Sequence, residues 1–254
     1  MLKVELHTHT ADDPVDRIPH STTELIDRAA DLGYDALAIT LHERQLDLDP
    51  WTRHAASRGL LLIPGIEQTI EGKHVLLINF SSRAEQVETF ADLADLRHEE
   101  RGLVIAPHAF FPGSACLGRE MMDRHADLFD AVEYNAMFAP GVNFNRPAER
   151  WARLHGRPLV GNGDVHRLQQ LGSTYSVVDA PPEPDAICAA VRAGRLLVKA
   201  RPLPWSTTLS LASQLMVFEP LRDLLGAAPG IPGIAEVTGP HGGTVKRRRT
   251  EVSL

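Results

Sequence analysis

The chain has 254 residues and a formal net charge of −7, from 26 basic and 33 acidic residues. This balance argues against a broad nucleic-acid-binding surface, although a small anionic substrate can still bind at local cations or metal ions. The two cysteines, Cys116 and Cys188, are too few for a disulfide framework, so we expect a reducing, cytoplasmic setting.

The first strand-like run, residues 3–6, is followed by His7 and His9. Alternate residues of a strand point to the same side, so these two imidazoles can share a metal ion. The acidic loop that follows either is simply solvated or supplies one further ligand, from Asp12, Asp13 or Asp16.

The same pattern recurs along the chain. Four further apolar runs each end at potential metal ligands, which are His42, Glu67, His108 and the pair Asp164 and His166. Segments with helical spacing separate these runs, and this alternation predicts a parallel sheet wound or closed by crossovers. In barrels of this kind the carboxyl ends of many strands meet at one pocket, where we expect the ligands to converge.

Local signals predict individual elements. A capping box at residues 21–24 begins a helix that stops at Gly33, and His20 before it is interpreted as a surface residue. Further helices are predicted at residues 83–101, 147–155 and 184–193, and further strands at residues 131–135 and 196–198.

Glu67 follows a strongly apolar run, where a carboxylate without a cationic partner would be costly, and this favours a buried metal ion. A turn at residues 71–74 predicts a hairpin that brings His74 near Glu67, so His74 is either a ligand or a strand-edge residue. Cys116 has no clear activating neighbour in the sequence and is interpreted as a small buried thiol.

Residues 1–202 are predicted to form the main domain, and residues 203–254 a helix near 209–225 followed by a mobile tail. The tail contains a basic run at 246–249, which is either solvated or a nucleic-acid contact. The longest apolar run, near residues 60–66, is too short to cross a bilayer, so we expect no transmembrane helix and no signal peptide.

Taken in order, six motifs within residues 1–200 resemble those of the PHP (polymerase and histidinol phosphatase) superfamily. They are His7-Thr8-His9, Ile39-Thr40-Leu41-His42, Gly65-Ile66-Glu67, His74, Pro107-His108 and Gly163-Asp164-Val165-His166. The resemblance implies a distorted (β/α)7 TIM-like barrel, an α/β fold, with three metal ions at the carboxyl ends of its strands. It also implies hydrolysis of phosphoesters.

Residue by residue, the resemblance implies three ion positions. The first would be held by His7, His9, Glu67 and Asp164. The second would be held by Glu67, which bridges, together with His74 and His108. The third would be held by His42, His166 and a carboxylate of the first loop, for which we favour Asp13 and keep Asp16 as the alternate. Leu41 replaces an aspartate common in the family, which predicts an altered environment around His42 and not a lost ion.

The implied ligands suit hydrolytic chemistry. Mixed histidine and carboxylate ligands favour Mn, Fe or Zn over Ca or Mg. A metal-bridging water with a lowered pKa could attack phosphorus while neighbouring ions hold the phosphate oxygens. The predicted catalytic residues are His42, His166 and Asp164, the histidines as donors of a proton to the leaving oxygen. The predicted substrate contacts are Arg17, Arg44, Lys73, Arg146, Arg167 and, unless it only stabilises a turn, Asn135.

The sequence therefore predicts a metal-dependent phosphoesterase for a small phosphorylated substrate. Nucleotides, oligonucleotide ends and sugar or histidinol phosphates all fit, and the resemblance favours a nucleotide-like ester. The loops show no clear platform for stacking a base, and any help would come from Phe110, Phe111 and Phe138. One alternative is hydrolysis of a carbon–nitrogen bond by the same centre, and another is a non-catalytic regulatory module that binds metal. No membrane partner is expected, nucleic acid is expected only as a substrate, and the sequence leaves the oligomeric state open.

Overall fold

The computed structural model describes residues 1–113 and 115–213. Along these residues the strands are β1 Leu2–Glu5, β2 Ala36–Ile39, β3 Leu61–Ile70, β4 Lys73–Ile78, β5 Leu103–Ala106, β6 Ala131–Asn135, β7 Leu159–Asn162, β8 Thr174–Val178 and β9 Leu196–Ala200. The α-helices are α1 Thr22–Asp31, α2 Asp49–Ser57, α3 Phe90–Glu99, α4 Gly118–Arg124, α5 Arg146–His155, α6 Pro184–Arg192 and α7 Trp205–Ser213. Two 3-10 helices lie at Ser82–Gln86 and Ala126–Leu128.

The described strands form one nine-stranded sheet in the order β7-β6-β5-β4-β3-β2-β1-β8-β9. β4 is antiparallel to β3 and β5, and β8 is antiparallel to β1 and β9. All other neighbours are parallel, so every strand except β4 and β8 runs in one direction. The predicted barrel-like α/β fold is confirmed. The sheet has nine strands and not the expected seven, since the antiparallel strands β4 and β8 are added to seven that share one direction.

Close packing of β7 on β8 nearly closes the sheet into a barrel. The Ser176 hydroxyl on β8 accepts a hydrogen bond from the Gly161 N–H at 2.8 Å and donates one to the Gly161 carbonyl at 3.1 Å. A Cβ atom on Gly161 would lie 2.7 Å from the Val198 side chain and 2.9 Å from the Tyr175 carbonyl oxygen. Glycine is therefore required for β7 to approach β8 and β9 this closely.

Several local predictions are confirmed. α1 begins after Ser21, whose hydroxyl accepts from the Glu24 N–H while the Glu24 carboxylate accepts from the Ser21 N–H, as the capping box predicted. The predicted hairpin joins β3 to β4 through Glu71 and Gly72, whose φ angles are 50° and 76°. Val4, Ile63, Ile105 and Val160 come from four different strands and pack in one buried apolar cluster, which fixes the strands beneath the ligands.

Other elements differ from the prediction. β3 continues through Pro64 and Gly65 to Ile70, so Glu67 lies within a strand and not after its end. The helix expected over residues 83–101 is a 3-10 turn followed by α3, because Thr89 caps a separate helix by accepting from the Asp92 N–H. α2, α4 and β8 were not predicted individually.

Residue contacts group Met1–Leu209 as one compact unit. The domain boundary predicted after residue 202 stays a prediction. Most of the helix predicted at 209–225, and the whole basic run at 246–249, fall outside the described residues. In the part of the chain that the structure describes, no helix has the length and apolar character needed to cross a membrane.

Candidate metal centre

The structure brings the predicted ligands together at the carboxyl-terminal edge of the parallel strands. Nine of them form five overlapping groups in which the ligand atoms lie within 4.8 Å of one another: His7, His9, Asp13, His42, Glu67, His74, His108, Asp164 and His166. Asp16, the tenth, contacts His166. These side chains come from the ends of β1, β2, β5 and β7, from β3 and β4, and from the loop after β1.

The first group is built around two nitrogen and two oxygen atoms. His7 Nε2 lies 3.0 Å from Glu67 Oε2 and 3.4 Å from Asp164 Oδ1, and His9 Nε2 lies 3.3 Å and 3.7 Å from the same two oxygens. Four ligands at about 2.1 Å from a tetrahedral ion are about 3.4 Å apart. The spacing of these four atoms therefore fits a single metal ion.

Two of these four atoms are left without a partner. His9 Nε2 and Asp164 Oδ1 are buried and have no hydrogen-bond partner among the described residues. Buried polar atoms are normally satisfied, because an unpaired one keeps the full cost of its lost hydration. A metal ion between them would satisfy both atoms, so the residues fit the ion that the resemblance implies.

The second group surrounds the other oxygen of Glu67. Its Oε1 lies 2.9 Å from His74 Nδ1 and 3.0 Å from His108 Nε2. The hairpin of β3 and β4 carries Glu67 and His74, as predicted, and His108 follows β5. Glu67 thus presents one oxygen to each group, which is the geometry of a bridging carboxylate.

A third group contains His42, His166 and the first-loop aspartates. Asp16 Oδ2 lies 2.9 Å from His166 Nε2 and 3.9 Å from His42 Nδ1. Asp13 Oδ2 lies 3.0 Å from both His42 Nδ1 and His9 Nδ1. Asp16 is therefore the carboxylate between His42 and His166, whereas Asp13 connects His42 to the first group.

Comparisons with known proteins agree with this fold. The sequence matches the family described as PHP-associated over residues 142–196. A two-domain protein from Bacteroides vulgatus ATCC 8482, which contains a predicted PHP-like metal-dependent phosphoesterase, is similar with a TM-score of 0.61. The match has 18% sequence identity and covers 82% of this chain and 68% of that one. This chain has the PHP fold.

Other structures share the PHP fold of this chain at low sequence identity. PsfC from Pseudomonas syringae PB-5123 matches with a TM-score of 0.56 and 17% identity, over 88% of this chain and 98% of its own. An amidohydrolase from Chromobacterium violaceum, solved with sulfate and without metal, matches with a TM-score of 0.53 and 16% identity, over 76% and 97%. No curated protein matches the sequence.

The buried histidines and carboxylates of the cluster stabilise each other's charges. Burial opposes a charge on His7, but Asp164, Glu67 and Glu133 outweigh it and raise the His7 pKa well above its ordinary value. Burial and His166 oppose a charge on His9, yet the neighbouring carboxylates of Asp13, Asp164 and Glu67 raise its pKa to about 9. The pKa of Glu67 is held well below its usual range, because the surrounding histidines outweigh its burial.

Each of four ligand histidines also has a partner on its Nδ1 atom. Glu133 Oε1 lies 2.8 Å from His7 Nδ1, and Asp13 Oδ2 lies 3.0 Å from His9 Nδ1. Cys116 Sγ lies 3.5 Å from His108 Nδ1, and the Asp164 carbonyl oxygen lies 3.2 Å from His166 Nδ1. A partner on Nδ1 fixes the ring and leaves Nε2 for the ion.

Three placements correct the sequence interpretation. His20 is buried, with 4% of its surface exposed, because the first loop folds back and its Nε2 donates to the His9 carbonyl at 2.9 Å. Cys116 is half-buried and does have a polar neighbour, His108. Asn135, predicted to contact substrate, is buried, and its amide donates to Glu133 at 2.9 Å and to Asp164 at 3.0 Å.

The predicted cationic contacts lie farther out. Arg17, Arg44 and Arg146 are exposed, and Arg167 and Lys73 are half-buried. Arg44 donates to the Asp12 carbonyl and so is attached to the first loop. Arg146 begins α5, directly after a loop that follows β6.

Two buried carboxylates beneath the ligands were missed by the sequence reasoning. Glu5 accepts hydrogen bonds from the Gly163 N–H at 2.9 Å and the His7 N–H at 3.1 Å, and burial raises its pKa to about 8. Glu133 contacts His7 and the backbone of His108. The available signal was a glutamate inside an otherwise apolar strand, Val4-Glu5-Leu6 and Val132-Glu133-Tyr134.

Proposed function

We propose that this protein is a metal-dependent phosphoesterase that hydrolyses a small phosphorylated substrate. The observation that carries the proposal is the set of four buried ligand atoms spaced 3.0 to 3.7 Å apart, two of them without any other partner. Such a cluster of histidines and carboxylates suits Mn, Fe or Zn. The PHP-like phosphoesterase in the similar Bacteroides protein supports the same reaction.

Three ion positions are proposed. The first is assigned to His7, His9, Glu67 and Asp164. The second is assigned to Glu67, His74 and His108. The third is assigned to His42, His166 and Asp16, and we prefer Asp16 to Asp13 because it is the carboxylate nearest to His166. When bound, such ions would lower the pKa of water and neutralise charge on a phosphate.

The remaining roles are divided between residues of the chain and solvent. Both ring nitrogens of His42 contact carboxylates. Nε2 lies 3.3 Å from Glu67, and Nδ1 lies 3.0 Å from Asp13. His166 likewise faces Asp16 and Asp164. We therefore assign both histidines to holding an ion, and the predicted proton transfer to the leaving oxygen is given to solvent. Arg44 and Arg146, exposed beside the loops after β1 and β6, are proposed to bind the phosphate oxygens.

A nucleotide-like substrate is supported by an aromatic pair on the loops after β5 and β6. The rings of Phe111 and Phe144 have centroids 5.6 Å apart, and Phe144 is 44% exposed. Both loops leave the strand edge that carries the ligands, so a planar group of the substrate can stack there. Phe138 is buried at 8% exposure and packs on Tyr134, so it is not assigned this role.

Replacing Phe144 with alanine is expected to raise the KM for a nucleotide ester about fivefold, because a stacking contact contributes on the order of 1 kcal/mol. The KM for a phosphoester without a ring is expected to stay unchanged. Steady-state kinetics on both substrates check this, with Leu154→Ala, an exposed apolar residue of α5, as the control. An equal loss for both substrates would rule out stacking.

The direct test measures hydrolysis of a panel of phosphoesters, by release of phosphate from monoesters and of a phosphomonoester from diesters. Metal-stripped protein is resupplied separately with Mn, Zn, Fe or Mg, and His7→Ala and Asp164→Ala are compared with His54→Ala, a histidine paired with Asp27 on the surface. We expect metal-dependent turnover that is lost in the first two variants and retained in the third. Bound metal without hydrolysis of any monoester or diester would contradict the proposal.

The second candidate is hydrolysis of a carbon–nitrogen bond, which the fold similarity to the Chromobacterium amidohydrolase favours. The same ions could activate water for attack on a carbonyl carbon. Product analysis separates the two reactions, since one releases phosphate or a phosphomonoester and the other releases an amine and an acid. Turnover of amides alone, in the same metal-resupplied samples, would select this candidate.

A further inference from the structure

Glu133 lies beneath the ligand groups and belongs to none of them. It is fully buried on β6, with 0% exposure. Its Oε1 lies 2.8 Å from His7 Nδ1 and accepts from the Asn162 amide at 3.0 Å. Its Oε2 accepts from the His108 N–H at 2.8 Å and from the Asn135 amide at 2.9 Å. Both oxygens are therefore engaged, and each one holds a different ligand histidine.

Through Oε1, Glu133 fixes the imidazole of His7. A hydrogen bond from Nδ1 to the carboxylate leaves Nε2 as the neutral, ligating nitrogen. That Nε2 atom faces Glu67 and Asp164 at 3.0 and 3.4 Å. Without an acceptor at Nδ1, His7 could present the wrong tautomer to the ion.

Through Oε2, Glu133 holds the backbone of His108. His108 has a φ of 29°, which is unusual for a residue other than glycine. Its N–H donates to Glu133, and its ring directs Nε2 at Glu67 Oε1, 3.0 Å away. The carboxylate thus stabilises the backbone turn that aims His108 at the second ion position.

We propose that Glu133 is a positioning residue that couples the first and second metal positions through His7 and His108. The inference rests on the proposed metal centre and extends it to a residue that binds neither ion. Because one carboxylate orients a ligand of each position, its loss should weaken both. A group that supported only His7 would affect the first position alone.

The test uses Glu133→Gln, which keeps the size of the side chain and removes its charge. Zn²⁺ dissociation constants are measured by competition with a chromogenic chelator. The first position is measured in a His74→Ala background and the second in a His9→Ala background. We expect about a 10- to 100-fold loss of affinity in each background, as is typical when a partner of a ligand histidine is changed.

Asp130→Asn is the matched control. Asp130 is also buried, precedes the same strand at its other end, and accepts from Arg97 at 2.7 Å and from the Val104 N–H at 2.9 Å. It should leave both affinities unchanged even if it lowers the melting temperature. If Glu133→Gln does not fold, Asn162→Ala removes one donor to Glu133, and we expect a smaller loss in the same direction at both positions.

The possible outcomes distinguish failure of the proposed role of Glu133 from failure of the proposed metal centre. A loss at the first position only, no loss at either, or an equal loss in Asp130→Asn would overturn the coupling role of Glu133 and leave the metal centre intact. Failure of the unmodified protein to bind Zn²⁺ would overturn the proposed metal centre, and the coupling with it. A Co²⁺-substituted sample adds a spectroscopic check, because its visible bands should shift in Glu133→Gln and not in Asp130→Asn.

Discussion

Glu67→Gln is expected to empty both the first and the second metal positions and to reduce hydrolysis by about a thousandfold or more. Glu67 is 1% exposed, and its two oxygens lie within 3.3 Å of five histidine nitrogens. The glutamine side chain carries no charge, and its NH2 group would face one of the two groups of ligands in place of a carboxylate oxygen. Metal ions supply several kcal/mol of transition-state stabilisation, and about 4 kcal/mol corresponds to a thousandfold in rate.

Metal content and phosphate release, measured on the same samples, check this prediction. The matched control is Gln68→Ala, the next residue of β3. Gln68 points to the other face of the strand, where its amide donates to the Val87 carbonyl at 3.0 Å. This variant should lose some stability and keep its metal. Full metal content in Glu67→Gln would show that Glu67 does not bridge the two positions.

The convergence of the candidate ligands could be predicted from sequence because its signal is local. Most of them follow or lie in an apolar strand, and the carboxyl ends of parallel strands meet at one edge of a sheet. His7 and His9, for example, are recognisable from the alternation of one strand. The pairing of Glu67 with His74 follows from a hairpin whose turn, Glu71-Gly72, is visible in the sequence.

The supporting residues were not predictable in the same way, since their partners are distant in the chain. Glu133 contacts His7 across 126 residues, and Glu5 contacts Gly163 across 158. The apolar neighbours of Glu133 in the sequence mark it as unusual, but they do not identify the distant residues that it contacts. Burial, and the hydrogen bonds that accompany it, are set by the tertiary arrangement.

β8, the antiparallel strand at which the sheet nearly closes, was not predicted for a similar reason. β8 runs antiparallel to β1, so it breaks the alternation of parallel strand and helix on which the prediction depended. Its link to β7 is made by one hydroxyl, Ser176, and by the absence of a side chain at Gly161. Serine and glycine are common in loops, so neither residue marks a strand contact by itself.

Metal affinity should depend strongly on pH. We expect it to fall about hundredfold per pH unit as the pH drops below 8. A ligating imidazole must be neutral, so an ion can bind only after displacing protons. The metal-free protein raises the pKa of His9 to about 9 and that of His7 well above its ordinary value. Both histidines of the first position therefore carry a proton at neutral pH, whereas Glu67 and Asp164, with lowered pKa values, carry none.

The raised pKa values of these histidines make the metal affinity rise with pH. Below about pH 9, each displaced proton makes the apparent affinity rise tenfold per pH unit, so two protons give a total of about 10⁴ between pH 6 and pH 8. Near and above pH 9 the slope should become shallower, because His9 then loses its proton without the ion. Titration calorimetry in two buffers with different ionisation enthalpies counts the protons released, and His9→Ala should release about one fewer than the unmodified protein. An affinity independent of pH between 6 and 8 would mean that these histidines are already neutral, and that the buried carboxylates do not hold protons on them in the way that the geometry requires.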